Sequence, residues 1–329
     1  MPTAKQMLAL IKSHVHGDDE RFYSLALQLA ASEARLGHHA VAEELRILLD
    51  EAKAAKKPKI VSRGPIPVPR ASGEFAGLMS VQYSTTRLSQ MILDRALSDQ
   101  LRAIVYEQRQ RAKLHEHGLQ PRRKLLLIGP PGSGKTMTAT ALSGELGLPL
   151  FSILLHTVIT KFMGETAAKL RLVFDAMIET RGVYLFDEVD ALGTKRTKEN
   201  DVGEIRRILN SFLQFLEQDQ SEALIIATTN HEELLDKALF RRFDATLKYH
   251  LPTKELIVST LENRLSVFDT AQVNWQEVAE KGAGLSQAEV IRAAEDAARN
   301  AILSRGSPTI VTSDLLEAIE PRKGIGIKD

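Results

Sequence analysis

The chain has 329 residues, enough for one large domain or two to three small ones that each bury a core. Its 43 basic and 42 acidic side chains leave a formal net charge of +1, which excludes an overall field drawing it to nucleic acid or an anionic membrane. It has no cysteine, so disulfides, thiolate zinc sites and a cysteine nucleophile are excluded, in keeping with a reducing compartment.

The opening MPTAKQMLALIKSHVHGDDE has too short an apolar stretch and too early a run of acids for a secretory signal. No apolar run reaches the roughly 18 residues needed to span a bilayer. A cytoplasmic protein without membrane contact is expected. Residues 1–57 repeat apolar positions at helical spacing, as in Phe22, Leu25 and Leu29 and again Val41, Leu45 and Leu48, which predicts a helical hairpin or small bundle turning near Gly37 to His39. Pro58, Pro65, Pro67 and Pro69 then forbid helix or central strand, and 58–83 is expected to be a semi-rigid Pro-rich linker.

From Ser84 to Leu119 the pattern is mostly helical. Short apolar runs follow at Leu125 to Ile128, Leu150 to Leu155, Val183 to Phe186, Leu224 to Thr228 and Leu247 to His250, separated by amphipathic helical stretches. That alternation predicts an α/β fold over 84–251 with a parallel sheet flanked by helices. After Pro252 the strand signal gives way to helices, so 252–329 is expected to be a small helical lid. His115 and His117, and His38 with His39, make no recognised metal pattern.

Gly129, Pro130, Pro131, Gly132, Ser133, Gly134, Lys135 and Thr136 fit GxxxxGK[ST] directly after a strand and before a helix, the context that a phosphate-binding loop requires. Glycines there let backbone N–H groups wrap phosphates, and the helix N-terminus favours their charge. Lys135 is suited to the outer phosphates and Thr136 to Mg²⁺. About fifty residues on, the apolar run Val183 to Phe186 ends in Asp187 and Glu188. Because neighbouring strand residues face opposite ways, Asp187 is expected to hold the Mg²⁺ shell while Glu188 orients and deprotonates the attacking water.

With these motifs in this order, the chain resembles the AAA+ ATPases over about Gln90 to Glu320, in particular their protein-remodelling AAA branch. The resemblance implies a P-loop NTPase fold with a helical lid, here behind an N-terminal all-α domain, and hydrolysis of ATP with Mg²⁺. Leu224 to Asn230, LIIATTN, looks like the sensor-1 strand, whose Asn230 would bridge the attacking water and the γ-phosphate. The segment from Leu235 to Asp244 looks like the arginine-finger segment, and implies that Arg241 and Arg242 reach the γ-phosphate bound by a neighbouring subunit. The expected assembly is therefore a homo-oligomeric ring, usually a hexamer. Gly284 to Glu289, GLSQAE, resembles the start of the lid helix beside base and ribose, placing Gln287 and Ala288 at the nucleotide. This copy departs from the commoner Gly-Ala-Asp pattern and no arginine follows at once, so no sensor-2 arginine is assigned and Arg292 is left as a surface residue. Met137 and Met91 to Leu93 are expected near the base.

Lys161, Phe162, Met163 and Gly164 look like the first pore loop of protein-translocating relatives, an aromatic grip on an extended client with Gly164 turning the loop. Phe162 as a core residue opening the next helix is the alternative. The polar stretch from Leu192 to Gly203 would be a second pore loop, followed by Glu204, Arg206 and Arg207 on a helix. The N-terminal helical domain is expected to bind a client or partner that its sequence does not name. The resulting expectation is an ATP-driven machine that remodels, unfolds or disassembles a protein client through its central pore. The rivals are a nucleotide-gated switch for a partner enzyme and a nucleic-acid motor or loader, against which the near-zero net charge argues.

Overall fold

The computed structural model describes residues 13, 19–35, 38, 41–43, 45–47, 49, 77–155, 163–192, 201–234, 237–306 and 308–323. The chain divides into two compact units, one of Pro69–Ile257 with Gly282–Val290 and Lys323–Asp329, the other of Met1–Val68 with Val258–Lys281 and Ile291–Arg322.

The first unit is built on six strands: β1 (Met79–Gln82), β2 (Lys124–Ile128), β3 (Leu150–Ile153), β4 (Val183–Phe186), β5 (Leu224–Thr229) and β6 (Ala245–Lys248), in the spatial order β1-β3-β4-β5-β2-β6. β1 runs antiparallel to β3, and the other pairings are parallel. β4 and β5 are buried at every position, which is why their sequences read as unbroken apolar runs: parallel strands are covered on both faces. Alternate residues feed two cores. Leu125, Leu127, Val183, Leu185, Leu224 and Ile226 pack with Leu101, Ile104 and Leu142 from helices Arg95–Arg109 and Lys135–Leu146. Leu126, Ile128, Tyr184, Phe186, Ile225 and Ala227 pack on the other face with Leu170, Phe174, Phe212 and Leu216 from helices Met163–Glu179 and Asp201–Gln218. The rings of Phe186 and Phe212 meet edge to face at 5.0 Å, a favoured aromatic geometry.

Four stretches differ from the sequence expectation. β1 lies inside the span expected as linker, 58–83. It is a four-residue edge strand whose positions alternate between half-buried and exposed, so it carries no apolar run. The last strand is Ala245–Lys248 rather than Leu247 to His250, because Tyr249 leaves the ladder after its N–H donates to Ile128 O at 2.7 Å. The helix Asp201–Gln218 starts inside the segment read as a second pore loop, of which 193–200 lie outside the described residues. Residues 84–87 are not helical either. They cross helix Lys135–Leu146 so closely that a Cβ on Gly144 would stand 2.0 Å from Thr86 O, and Arg87 Nη1 donates to Gly144 O.

In the second unit, helix Asp19–Arg35 buries Leu25, Ala26 and Ala30. The C-terminal helices Trp275–Gly282 and Thr312–Lys323 bury Val278, Leu315 and Ile319, and Ala293, Ala294 and Ala297 are buried as well. Asn274 N donates to Thr312 Oγ1 at 2.8 Å, and the side chains of Arg322 and Asp296 pair. Among the described residues, no helix is long and apolar enough to cross a membrane.

The Gly144 crossing makes a testable demand. Gly144→Ala forces a methyl into backbone that cannot swing aside, and is expected to cost about 1–3 kcal/mol, read as a lower midpoint in chemical denaturation.

Candidate functional site

The parallel register sets the site. β2 lies between β5 and β6, and β5 lies between β2 and β4, so the carboxyl ends of β2, β4 and β5 open side by side. Open α/β sheets bind ligands at that edge. The loop 129–134 leaves β2 there and runs into helix Lys135–Leu146. Gly132 has φ +74, and a Cβ on it would lie 2.7 Å from Ser286 Oγ; both conformation and space therefore require glycine. Ser133 Oγ is buried without a hydrogen-bond partner, a donor left for a phosphate oxygen. These are features of a cradle that fits a polyphosphate.

Lys135 is 6% exposed. Its Nζ donates to Gly129 O at 2.6 Å, Pro130 O at 2.9 Å and Asn230 Oδ1 at 2.8 Å. Burial holds its pKa below the ordinary lysine value, against the upward pull of Asp187, Asp190 and Glu188. Thr136 Oγ1 donates to both oxygens of Asp187, at 3.2 and 3.0 Å. A hydroxyl and a carboxylate on one point suit Mg²⁺, which takes few protein ligands and completes its shell with phosphate oxygens and water.

Asp187 and Glu188 diverge, though not by strand alternation as expected. β4 ends at Phe186, and Glu188 adopts φ +56, a left-handed conformation that is uncommon outside glycine. The turn leaves Asp187 partly buried and presents Glu188 to solvent, with its Oε1 3.5 Å from Asn230 Nδ2. Thr228, which sequence reasoning did not single out, holds both acids. Its fully buried hydroxyl donates to Asp187 Oδ1 and accepts from Glu188 N at 3.0 Å. Its signal was a polar residue within the apolar run LIIATT, where a hydroxyl must find partners.

The stretch from Ser286 meets the loop as well. Ser286 N donates to Glu289 Oε2 at 2.8 Å and Glu289 N to Ser286 Oγ at 3.4 Å, the reciprocal pattern of a capping box, so helix Gln287–Arg305 begins at Gln287. Ala288 N donates to Gly132 O at 3.0 Å, and Gln287 Nε2 to Ile92 O at 2.6 Å. Met91 approaches Gly134, and Met137 is exposed. Ser286, also missed, was legible as the first position of S-x-x-E.

Arg241 and Arg242 are not brought to this edge. They precede β6, whose Ala245 pairs with Leu125 at the start of β2, and the length of β2 puts them about 13 Å or more along the strand from the phosphate loop. Arg241 is exposed, and Arg242 Nη1 pairs with Glu217 Oε1 at 2.9 Å. Lys161 and Phe162 lie outside the described residues. Met163 and Gly164 begin helix Met163–Glu179, so Gly164 is helical and does not form the expected turn. Glu165 in the first helical turn favours that start through the helix dipole.

Residues 125–251 match the family model "ATPase family associated with various cellular activities (AAA)". The AAA family ATPase y4kL of Sinorhizobium fredii is 32% identical over 308 residues, covering 93% of this chain and 91% of that protein. Proteasome-activating nucleotidase of Methanoregula boonei is 33% identical over 213 residues, covering 62% of this chain and 48% of its own length; this chain thus spans about half of that relative. The crystal structure of the FIGL-1 AAA domain aligns with a TM-score of 0.60 at 24% identity, over 75% of this chain and 86% of that one, a likeness of fold.

Thr228→Val keeps the shape and removes the hydroxyl. ATP turnover is expected to fall on the order of 10–100-fold as both acids lose their anchor, with ATP affinity little changed. Steady-state kinetics and nucleotide titration check this.

Proposed function

Because this chain belongs to the AAA family of ATPases, we propose that its hydrolysis of ATP drives the remodelling of a protein client, in a ring whose subunits complete one another's sites. The convergence of Lys135, Thr136, Asp187, Glu188 and Asn230 at one sheet edge, without Arg241 and Arg242, carries the reading of a shared site. A guanidinium facing the γ-phosphate offsets charge that builds in the transition state, and in this reading a neighbouring subunit supplies it. A protein client is supported by the likeness to a proteasome-activating nucleotidase and by the balance of 43 basic against 42 acidic side chains, which provides no overall pull toward nucleic acid.

In this reading the backbone N–H groups of Gly132, Ser133 and Gly134, the Ser133 hydroxyl and the Lys135 ammonium hold the β- and γ-phosphates. Thr136 and Asp187 would hold Mg²⁺, which would supply positive charge to offset that of the phosphates. Glu188 takes the proton of the water that attacks the γ-phosphorus as the bond to ADP breaks, and Asn230 steadies that water through its contact with Glu188. General-base assistance of this kind is worth about 10²–10⁴-fold. Gln287 and Ala288, bonded to Ile92 and Gly132, would relay the state of the loop to helix Gln287–Arg305. Phe162 and Lys161 would contact the client, and the N-terminal helices would recruit a client or partner.

The test is steady-state ATPase activity of the wild type and Phe162→Ala, each with and without an unfolded polypeptide or single-stranded DNA. Stimulation by polypeptide that disappears in Phe162→Ala is the expected result. Stimulation by DNA alone, or equal responses from both enzymes, would replace the threading motor with a loader or a nucleotide-gated switch.

A further inference from the structure

The opposite edge of the sheet carries a second polar site that the ATPase reading does not use. A cleft of about 510 Å³ is lined by residues including Gln108, Arg111, His115, Arg123, Ser221 and Glu222, a volume in the range of small-molecule sites. It lies where the chain enters β2 and β5, at the end of the sheet away from the phosphate loop. Gln108 ties its floor to the neighbouring loop, its Nε2 donating to Arg122 O at 2.9 Å.

Its two arginines are not satisfied equally. Arg123 is satisfied, since its guanidinium pairs with the carboxylate and the carbonyl of Asp219. Arg111 Nη1 lies 2.8 Å from Glu222 Oε2, but outside hydrogen-bond geometry, and this buried nitrogen has no hydrogen-bond partner. Arg181, which precedes β4, acts on the same pair, and its buried Nε is likewise without a partner. Burial lowers the Arg181 pKa, as does repulsion from Arg111, and Glu222 only partly opposes them. Glu222, itself 55% exposed, is the carboxylate beside Arg111, and the His115 ring meets Gln120 Oε1 at 3.0 Å through Nε2. Desolvated guanidiniums with idle donors are costly until an anion accepts from them.

From this cleft and the buried guanidinium nitrogens of Arg111 and Arg181 that have no hydrogen-bond partner, we infer that the protein binds a small phosphoryl-bearing anion here, at a site separate from the ATP site. A phosphoryl group brings about −1.5 to −2 charge and several acceptor oxygens, matching the planar donors of Arg111. The cleft volume leaves room for a body attached to that group. Glu222 is the internal competitor, which the anion displaces from Arg111.

That competition gives the test an unusual sign. Inorganic phosphate is titrated into the full chain carrying Lys135→Ala, which silences the phosphate loop, and binding is followed by ³¹P line broadening. Saturable binding is expected, weakened roughly tenfold or more by adding Arg111→Gln and tightened by adding Glu222→Gln. Thermal melts establish that each variant folds, and if Arg111→Gln does not, the exposed Glu222→Gln decides alone. No saturable binding, equal affinity in Arg111→Gln, or weaker binding in Glu222→Gln would each overturn the site.

Discussion

The hydroxyl of Thr228 is the point on which the candidate ATP site turns, and its position follows from the parallel pairing of three strands. β5 is buried between β4 and β2, with Ala227 opposite Phe186 and Thr228 opposite Leu127. Thr228 therefore emerges beside the end of β4, where one hydroxyl can serve both Asp187 and the amide of Glu188. Slipping β5 by one residue would turn every side chain to the other face and separate the two acids from their anchor. Burial of the apolar strands and placement of the polar chemistry are one constraint here.

The charge distribution around that anchor is asymmetric. Lys135 is buried among the fields of Asp187, Asp190 and Glu188, so acidic groups outnumber the cation in this cluster. A polyphosphate entering such surroundings needs further positive charge, which Mg²⁺ on Thr136 and Asp187 and arginines from outside the subunit would provide. At the other end of the sheet each of three arginines stands beside a carboxylate, Arg122 with Glu107, Arg123 with Asp219 and Arg111 with Glu222. Arg123 and Lys124 also donate backbone N–H groups to Asp244 at 2.8 and 2.9 Å, which fixes the stretch just after Arg241 and Arg242.

Much of this was legible because the relevant signals are local. Four-residue apolar runs mark β2 and β4, and GxxxxGKT between strand and helix marks the loop. Other features depend on contacts that a linear reading cannot supply. β1 presents Met79 and Val81 half-buried beside exposed Ser80 and Gln82, and only pairing with β3 makes it a strand. The left-handed backbone of Glu188 cannot be inferred from its residue type, since glutamate ordinarily avoids it. Ser286 and Glu289 carried a capping signal, yet the contact of Ala288 with Gly132 across 156 residues is a product of tertiary folding. The pairing of Arg242 with Glu217 was equally hidden, because paired arginines look like surface charge until their neighbours are seen.

The central claim is that a complete catalytic site needs two subunits. It is tested most directly by mixing the Lys135→Ala chain with a chain carrying Arg241→Ala and Arg242→Ala, each inactive alone, and measuring ATP turnover across mixing ratios. Intact phosphate loops and intact arginines then meet only at mixed interfaces, so turnover is predicted to appear in the mixture and to peak at intermediate ratios. A mixture no more active than its components at every ratio, with mixed assembly confirmed by co-purification of differently tagged chains, would contradict the account.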